Sequence, residues 1–342
     1  MTQSAAEIAN EFDLTGHTPL TGGTFNEIHQ RLTFYEQTHY SQYVPTLGSE
    51  YPTYQERLSN WLANTSDEAI RRILLELAPK IAFITREDIA QLHQSAFIGP
   101  ISHWLIDQLG IPFADPALSN RIYDELENYT WFTSITDSMH ISEFHHAHRI
   151  GGIEFRPDWK SLAQFGDPKN IQDFIDHRQA MGVTKPIRRI VILEDFVGSG
   201  AQMKMGEGSV DFAASSFPNT PILLVPLIVC PQGARLSRAL AGQYPNLTFS
   251  PVLEVEEHQL INSQSNYPAG SFEHVVKDIC DTLYSYVKGN DAAKPRPYKP
   301  HGFADTGAMI VLYSNTPANT LPIIQHESNT WSALFPRSAR MR

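Results

Sequence analysis

Residues 188–203, RRIVILEDFVGSGAQM, place two carboxylates a few positions before a turn of small residues. The acids are Glu194 and Asp195, and the turn comprises Gly198, Ser199, Gly200 and Ala201. Carboxylates accept hydrogen bonds from the vicinal hydroxyls of a ribose or bind a divalent cation, whereas a turn of small residues lets backbone N–H groups approach a phosphate. This spacing predicts a site for a ribose 5-phosphate. The alternative is a strand, a turn and a helix with incidental acids.

The apolar pattern around this segment predicts an α/β fold. Short apolar runs at 189–193 and 222–229 are typical of buried strands, although Pro226 argues against an undisturbed strand in the second run. A helix is expected from the glycine turn to about Ala214, so its N-terminal dipole would favour an anion at the turn. Further strands are predicted at 129–135, 247–255 and 308–313, and further helices at 234–244 and 272–287. Alternation of this kind indicates a parallel sheet with helices on its faces.

The first 128 residues instead show mainly helical periodicity. Apolar residues at positions 70, 73, 74 and 77 share one helix face, and Thr65 or Ser66 is the expected cap. Another helix is expected to start at Thr85, and two more are predicted at 101–109 and 116–128.

Composition excludes several classes of protein. The net charge of −11 disfavours a broad surface for nucleic acid but leaves a local basic groove open. Cys230 and Cys280 are too few for a disulfide framework or a Cys-rich zinc site. The longest apolar run, 221–231, is far shorter than the ~20 residues that span a bilayer, and no secretory signal is visible. We therefore expect a cytoplasmic protein with no membrane partner.

Histidines at 140, 145, 146 and 148 invite a zinc assignment. Their spacing matches no standard zinc site, and no cysteine lies nearby. We expect surface or partly buried histidines rather than metal ligands.

The segment IVILEDFVGSGAQM resembles the signature of the type I phosphoribosyltransferases. The resemblance implies that Glu194 and Asp195 hold the ribose 2- and 3-hydroxyls, with Mg²⁺ as cofactor. It also implies that the loop binds the 5-phosphate; its members are Gly198, Ser199, Gly200, Ala201 and Gln202. Two positions depart from the pattern: Gln202 replaces the last hydroxyl residue, and Gly198 replaces the acid that assists proton transfer in purine salvage, so purine salvage is not expected.

The same resemblance gives two further expectations. Asp137 and Ser138 follow the predicted strand at 129–135, where the family has its pyrophosphate loop, and an ordinary turn is the alternative there. Arg156 or Lys160 would be the basic residue that covers the pyrophosphate, and a solvated loop charge is the alternative.

The C-terminal stretch is similar to the tail of a narrower group, the phosphoribosyltransferase-like proteins of bacterial conflict and antiphage systems, some of them found beside retron reverse transcriptases. The matching residues are Gly302, Phe303, Asp305, Thr306, Gly307, Asn315, Thr316, Pro317, Leu321, Pro322, Leu334, Phe335 and Arg337. Apart from any ligand role, Trp331, Leu334 and Phe335 are expected to anchor the chain end on the core. The resemblance implies a helical extension over residues 1–128 and a phosphoribosyltransferase-like α/β domain with a C-terminal cap over residues 129–342.

Three functions follow as expectations. The first is a protein that binds phosphoribosyl pyrophosphate or a nucleotide and, if it is an enzyme, acts on N-glycosidic bonds as an effector in antiphage defence. The second is a catalytically inactive nucleotide sensor or regulatory subunit, which Gly198 and Gln202 favour. The third is an interaction subunit of a complex with a reverse transcriptase or nucleic acid. A homo-oligomer is compatible with all three.

Overall fold

The computed structural model describes residues 3–46, 50–151, 185–204, 209–289 and 298–338, together with 173–174, 176–177 and 180–182. The contacts divide the chain into two compact units. One, here the N/C unit, combines residues 1–86 with 256–342, and the other, here the sheet unit, comprises residues 87–255. Each is described by itself.

The strands of the described residues are β1 Ala82–Ile84, β2 Thr130–Ser134, β3 Arg189–Val197, β4 Ile222–Val229, β5 Leu247–Phe249, β6 Leu253–Glu254, β7 Tyr298–Lys299, β8 Gly302–Phe303 and β9 Ile310–Leu312. The α-helices are Ala5–Leu14, Phe25–Thr38, Tyr54–Leu62, Glu68–Leu77, Arg86–Ala96, Ser102–Leu109, Leu118–Tyr129, Ile141–His148, Val210–Ser216, Pro231–Gln243, Phe272–Lys288 and Pro322–Gln325.

The sheet unit contains a parallel sheet in the order β2-β3-β4-β5, with β6 also paired to β4. Apolar residues from β3 and β4 pack with the helices Val210–Ser216 and Pro231–Gln243 in one core. The predicted α/β fold, a mostly parallel sheet flanked by helices, is confirmed. The strand predicted at 247–255 is two short strands, β5 and β6, with residues 250–252 assigned to neither.

Pro226 lies inside β4, where we had expected a disturbed strand. Its carbonyl oxygen accepts a hydrogen bond from the Val252 N–H at 2.9 Å, although proline has no N–H of its own to donate. β4 pairs with β5 up to Leu224 and with β6 from Ile228, so the proline falls where the neighbouring chain interrupts its own strand. The missing N–H therefore breaks no regular ladder on that side of β4.

The N/C unit joins the two ends of the chain in one core. β1 pairs in parallel with β9, with Phe83 opposite Val311. Trp331, Leu334 and Phe335 are all fully or almost fully buried in this core, so the predicted C-terminal anchor is confirmed.

The compact units do not coincide with the predicted segments 1–128 and 129–342. The tail shares a core with residues 5–81, and a linear pass along the sequence does not detect such long-range packing. The predicted division into a helical extension over 1–128 and an α/β domain over 129–342 stays a prediction.

The helix at Glu68–Leu77 is capped by Asp67, one residue after Ser66, the second of the two expected caps. Asp67 accepts hydrogen bonds from the N–H groups of Ala69 and Ile70, whereas Thr65 only accepts from the Asp67 N–H. The other helix predictions in this part of the chain agree with the structure to within two residues at each end. Of the described helices, none has the length and apolar character needed to cross a bilayer.

Phe335 provides a direct test of the N/C core. Its ring lies 5.2–5.7 Å, centroid to centroid, from Tyr40, Tyr43, Tyr54 and Phe83. We expect Phe335→Ala to lower the free energy of unfolding by about 3–5 kcal/mol, because it removes a buried ring and leaves a cavity. Urea unfolding measures the change.

Phe34→Ala is the matched control, since that ring is 57% exposed and should cost less than about 1 kcal/mol. Equal losses in the two variants would show that the tail does not anchor this core.

Candidate functional site

β3 extends through the acid pair. It runs over Arg189–Val197 and is buried along its whole length, so the expectation that the strand ends in front of the acids at Leu193 is wrong. Glu194 is 1% and Asp195 is 6% exposed. The pair lies near the carboxyl end of β3 with little exposure to solvent.

Donors from a neighbouring loop satisfy both carboxylates. Glu194 accepts hydrogen bonds from the backbone N–H of Thr136, at 3.1 Å, and from the Thr136 hydroxyl. Asp195 accepts from the backbone N–H of Phe196 at 2.8 Å and from the Ser138 hydroxyl at 3.2 Å. Parallel pairing of β2 with β3 puts Ser134 opposite Leu193, so the residues that follow β2 lie beside Glu194 and Asp195 near the carboxyl end of β3. The burial of the acids thus depends on the loop after β2.

The environment favours the protonated form of the acids. Burial, with the charge of Asp195 adding to it, raises the pKa of Glu194 to about 8. Burial also raises the pKa of Asp195, against the lowering effect of the Phe196 N–H and the Ser138 hydroxyl. Two adjacent buried carboxyls of this kind titrate as a pair, and the pair retains a proton near neutral pH.

The loop after β3 is held on the first turn of the helix Pro231–Gln243. The Gly233 N–H donates to the Gly198 carbonyl at 2.9 Å, and a Cβ on Gly233 would lie 2.7 Å from that oxygen. Gly200 has φ +78°, and a Cβ there would lie 2.9 Å from Leu236 Cδ2. Glycine is therefore needed at both positions for this close contact between loop and helix.

Three backbone donors of this loop are available to a ligand. The N–H groups of Ser199, Gly200 and Gln202 make no hydrogen bond with the residues described, while the Ala201 N–H has a long contact, 3.4 Å, to the Ser199 hydroxyl. Consecutive N–H groups in a tight turn make a concavity that suits an anion.

The α-helix that was predicted to start directly after the loop starts later in the chain. A single 3₁₀ turn occupies Ala201–Met203, and the α-helix begins at Val210. Any anion binding at this loop depends on its backbone amides rather than on the dipole of a long helix.

Gln202 connects the loop to the acids. Its side-chain amide donates to Glu194 Oε1 at 3.0 Å and to the Phe196 carbonyl at 3.4 Å. In the sequence this residue appeared only as the loss of a hydroxyl. The structure shows that it spans the two parts of the candidate site.

The loop at 136–138 is only partly what the sequence suggested. Ser138 reaches the acid pair, and its hydroxyl also contacts that of Thr136 at 2.7 Å. Asp137 is exposed. Thr136, the main donor to Glu194, was missed, although its place after β2 beside the paired strand could have indicated it. Arg156 and Lys160 lie outside the described residues.

His145 and His148 lie in an aromatic cluster of the sheet unit with Phe97 and Phe144, whereas His140 lies near the acid pair, where its charge lowers the pKa of Asp195. His145 and His148 are buried, whereas His140 and His146 are exposed; the His148 ring stacks on Phe97 with centroids 4.2 Å apart. Burial lowers the pKa of the neighbouring His93 to about 4. In the described part of the chain, no three His, Cys, Asp or Glu side chains are grouped so as to hold a metal ion.

A mostly parallel sheet flanked by helices is consistent with a phosphoribosyltransferase-like fold. The model of one family, PRTase-CE, matches residues 58–337, and the chain belongs to that family. No curated protein and no solved structure matches it. The family match covers the strands of the sheet unit, the acid pair and the tail.

The raised pKa of Glu194 predicts how stability changes with pH. A carboxyl whose pKa is higher in the folded state stabilises the fold fully below its unfolded pKa, and this contribution is lost as the pH rises through the folded value. The ionisation of Glu194 therefore destabilises the wild-type fold increasingly between about pH 5 and pH 8. Glu194→Gln removes this cost, so we expect the variant to melt several degrees above the wild type at pH 8.5 but not at pH 5.

Thermal melts of the metal-free protein across this range measure the difference. Glu257→Gln, at an exposed glutamate, is the control and should follow the wild type at every pH. A constant offset between Glu194→Gln and the wild type at all pH values would contradict the raised pKa.

Proposed function

We propose that the acid pair and the loop at 198–202 bind the ribose 5-phosphate part of phosphoribosyl pyrophosphate or of a nucleotide. The observation that supports this most strongly is the position of three unused backbone donors a few residues beyond two adjacent carboxylates. The donors suit a phosphate, and the carboxylates suit vicinal hydroxyls. The family membership agrees with this assignment.

If the protein is an enzyme, its chemistry is the making or breaking of an N-glycosidic bond at the ribose. Such a reaction needs no covalent nucleophile, because its transition state resembles an oxocarbenium ion that is stabilised by position and charge. Asp195 and Glu194 would orient the ribose and place negative charge beside it. The loop would fix the 5-phosphate end, and Ser138 would be available to the leaving group.

The donor set fits Mg²⁺ only in part. Glu194 and Asp195 supply carboxylate oxygens, the ligand type that Mg²⁺ prefers, but the described residues offer no third acidic or histidine side chain at the pair. Mg²⁺ commonly takes its remaining ligands from water and substrate phosphates. We therefore propose that the acid pair would hold Mg²⁺ together with a phosphorylated ligand, where the ion would neutralise the leaving group.

A nucleotide sensor without turnover is the second candidate. Two observations favour it: the Gln202 side-chain amide already donates a hydrogen bond to the Glu194 carboxylate, and both acids are nearly inaccessible to solvent. A role in antiphage defence, an association with a reverse transcriptase or nucleic acid, and a cytoplasmic location stay predictions from the sequence.

Substitution at the acid pair tests the binding site. We expect Asp195→Asn to weaken the binding of phosphoribosyl pyrophosphate in the presence of Mg²⁺ by at least tenfold, because Asn accepts hydrogen bonds but carries no charge. Its stability should change by less than about 1 kcal/mol, since Asn has nearly the same volume and its carbonyl oxygen can still accept from the Phe196 N–H and the Ser138 hydroxyl. Calorimetry measures the affinity and a thermal melt measures the fold.

Ser199→Ala is the matched variant in the loop and should weaken binding only a few-fold, because backbone N–H groups donate to the phosphate. A wild-type protein that binds neither phosphoribosyl pyrophosphate nor a nucleoside 5-monophosphate would contradict the proposal. So would unchanged affinity in a well-folded Asp195→Asn.

A further inference from the structure

Gln202 belongs to both halves of the proposed site. Its backbone N–H is one of the three unused donors of the loop, whereas its side-chain amide donates to Glu194 Oε1 at 3.0 Å. A movement of this one residue therefore affects the anion donors and the acid pair together.

The amide of Gln202 occupies a place that a ribose hydroxyl would need. Both groups donate a hydrogen bond to a carboxylate oxygen, so they compete for the same acceptor. Glu194 already accepts from the backbone N–H and the hydroxyl of Thr136, and its exposed fraction is 1%. A sugar hydroxyl can reach this carboxylate only if one of its present donors leaves.

Gln202 is the donor that leaves most easily. Thr136 contacts Glu194 through two of its own atoms and lies two residues after the end of β2, so the sheet holds it close to Glu194. Gln202 holds Glu194 by a single side-chain amide, and its second contact, to the Phe196 carbonyl, is 3.4 Å long. Its side chain is half-buried and extends from a single 3₁₀ turn.

We infer, on the basis of the proposed function, that Gln202 is an internal competitor for the ribose subsite and makes the site selective for 5-phosphorylated pentoses over unphosphorylated nucleosides. A phosphate that engages the N–H of Gln202 reorients the backbone of that residue and withdraws its amide from Glu194. The acid pair then becomes available to the ribose hydroxyls of the same ligand. An unphosphorylated nucleoside lacks the anion and must displace the amide unaided.

This arrangement requires that phosphate and ribose strengthen each other's binding, because coupling between two sites is reciprocal. The coupling is limited to the contribution of one amide–carboxylate hydrogen bond, which corresponds to about a tenfold change in affinity.

The test measures binding of ribose, inorganic phosphate and ribose 5-phosphate to the wild type, Gln202→Met and Gln202→Ala, without metal, by calorimetry or NMR titration. Gln202→Met keeps the length of the side chain and removes its donor. We expect it to bind ribose about tenfold more tightly than the wild type does. Saturating phosphate should strengthen ribose binding to the wild type by a similar factor and should leave the two variants unchanged.

Gln243→Met, at the exposed end of the helix Pro231–Gln243, is the matched control and should behave like the wild type. Melting temperatures establish that each variant is folded, and Gln202→Ala replaces Gln202→Met if the latter does not fold.

Two failures are distinguishable. If ribose 5-phosphate binds but the ribose affinity and the phosphate coupling are the same in the wild type and the Gln202 variants, the competitor role is wrong and the proposed function stands. If ribose 5-phosphate binds to neither the wild type nor any variant, the proposed function itself is overturned, and the competitor role with it.

Discussion

The burial of two adjacent carboxyl groups in the central strand of a parallel sheet is the constraint on which the sheet unit depends. A buried acid without donors costs several kcal/mol. Here the Thr136 N–H and hydroxyl, the Ser138 hydroxyl and the Phe196 N–H supply them. The Thr136 and Ser138 donors are in place only because β2 pairs in parallel with β3 in a single register. A slip of one residue would move the threonine away from Glu194 and turn the acids to the other faces of the sheet.

The same strand end determines the shape of the loop. The chain leaves β3 at Val197 and is fixed at once on the helix Pro231–Gln243 through the Gly198–Gly233 hydrogen bond and the contact of Gly200 with Leu236. This packing involves the Gly198 carbonyl and the Cα of Gly200. It therefore leaves neighbouring N–H groups of the turn without partners among the described residues. The packing of the loop on the helix is enough to explain glycine at positions 200 and 233, without any ligand. The free N–H groups of Ser199, Gly200 and Gln202, in contrast, have no hydrogen-bond acceptor among the described residues. That difference is the physical basis for assigning ligand binding to the loop.

Much of this could be predicted from the sequence where the information is local. The run at 222–229 gave β4 with the correct bounds, and the acids and the glycine turn were recognised by type and spacing. Interactions between distant segments were not accessible. β1 was missed because a three-residue strand is defined only by its partner β9, more than 200 positions away. β3 was predicted too short because acids are unfavourable in a buried strand unless another segment supplies donors, and the donor Thr136 lies in the loop after the preceding strand, β2. Gln202 was interpreted from its residue type, and its contact with Glu194 depends on a 3₁₀ turn that the pattern did not indicate.

The central claim is that the acid pair and the loop form one site for a phosphorylated ribose. A crystal structure of the protein with ribose 5-phosphate tests it most directly. The account predicts phosphate oxygens within hydrogen-bond distance of the N–H groups of Ser199, Gly200 and Gln202, with the sugar hydroxyls on Glu194 and Asp195. Ligand bound elsewhere, or a phosphate at the loop with the sugar directed away from both carboxylates, would contradict it.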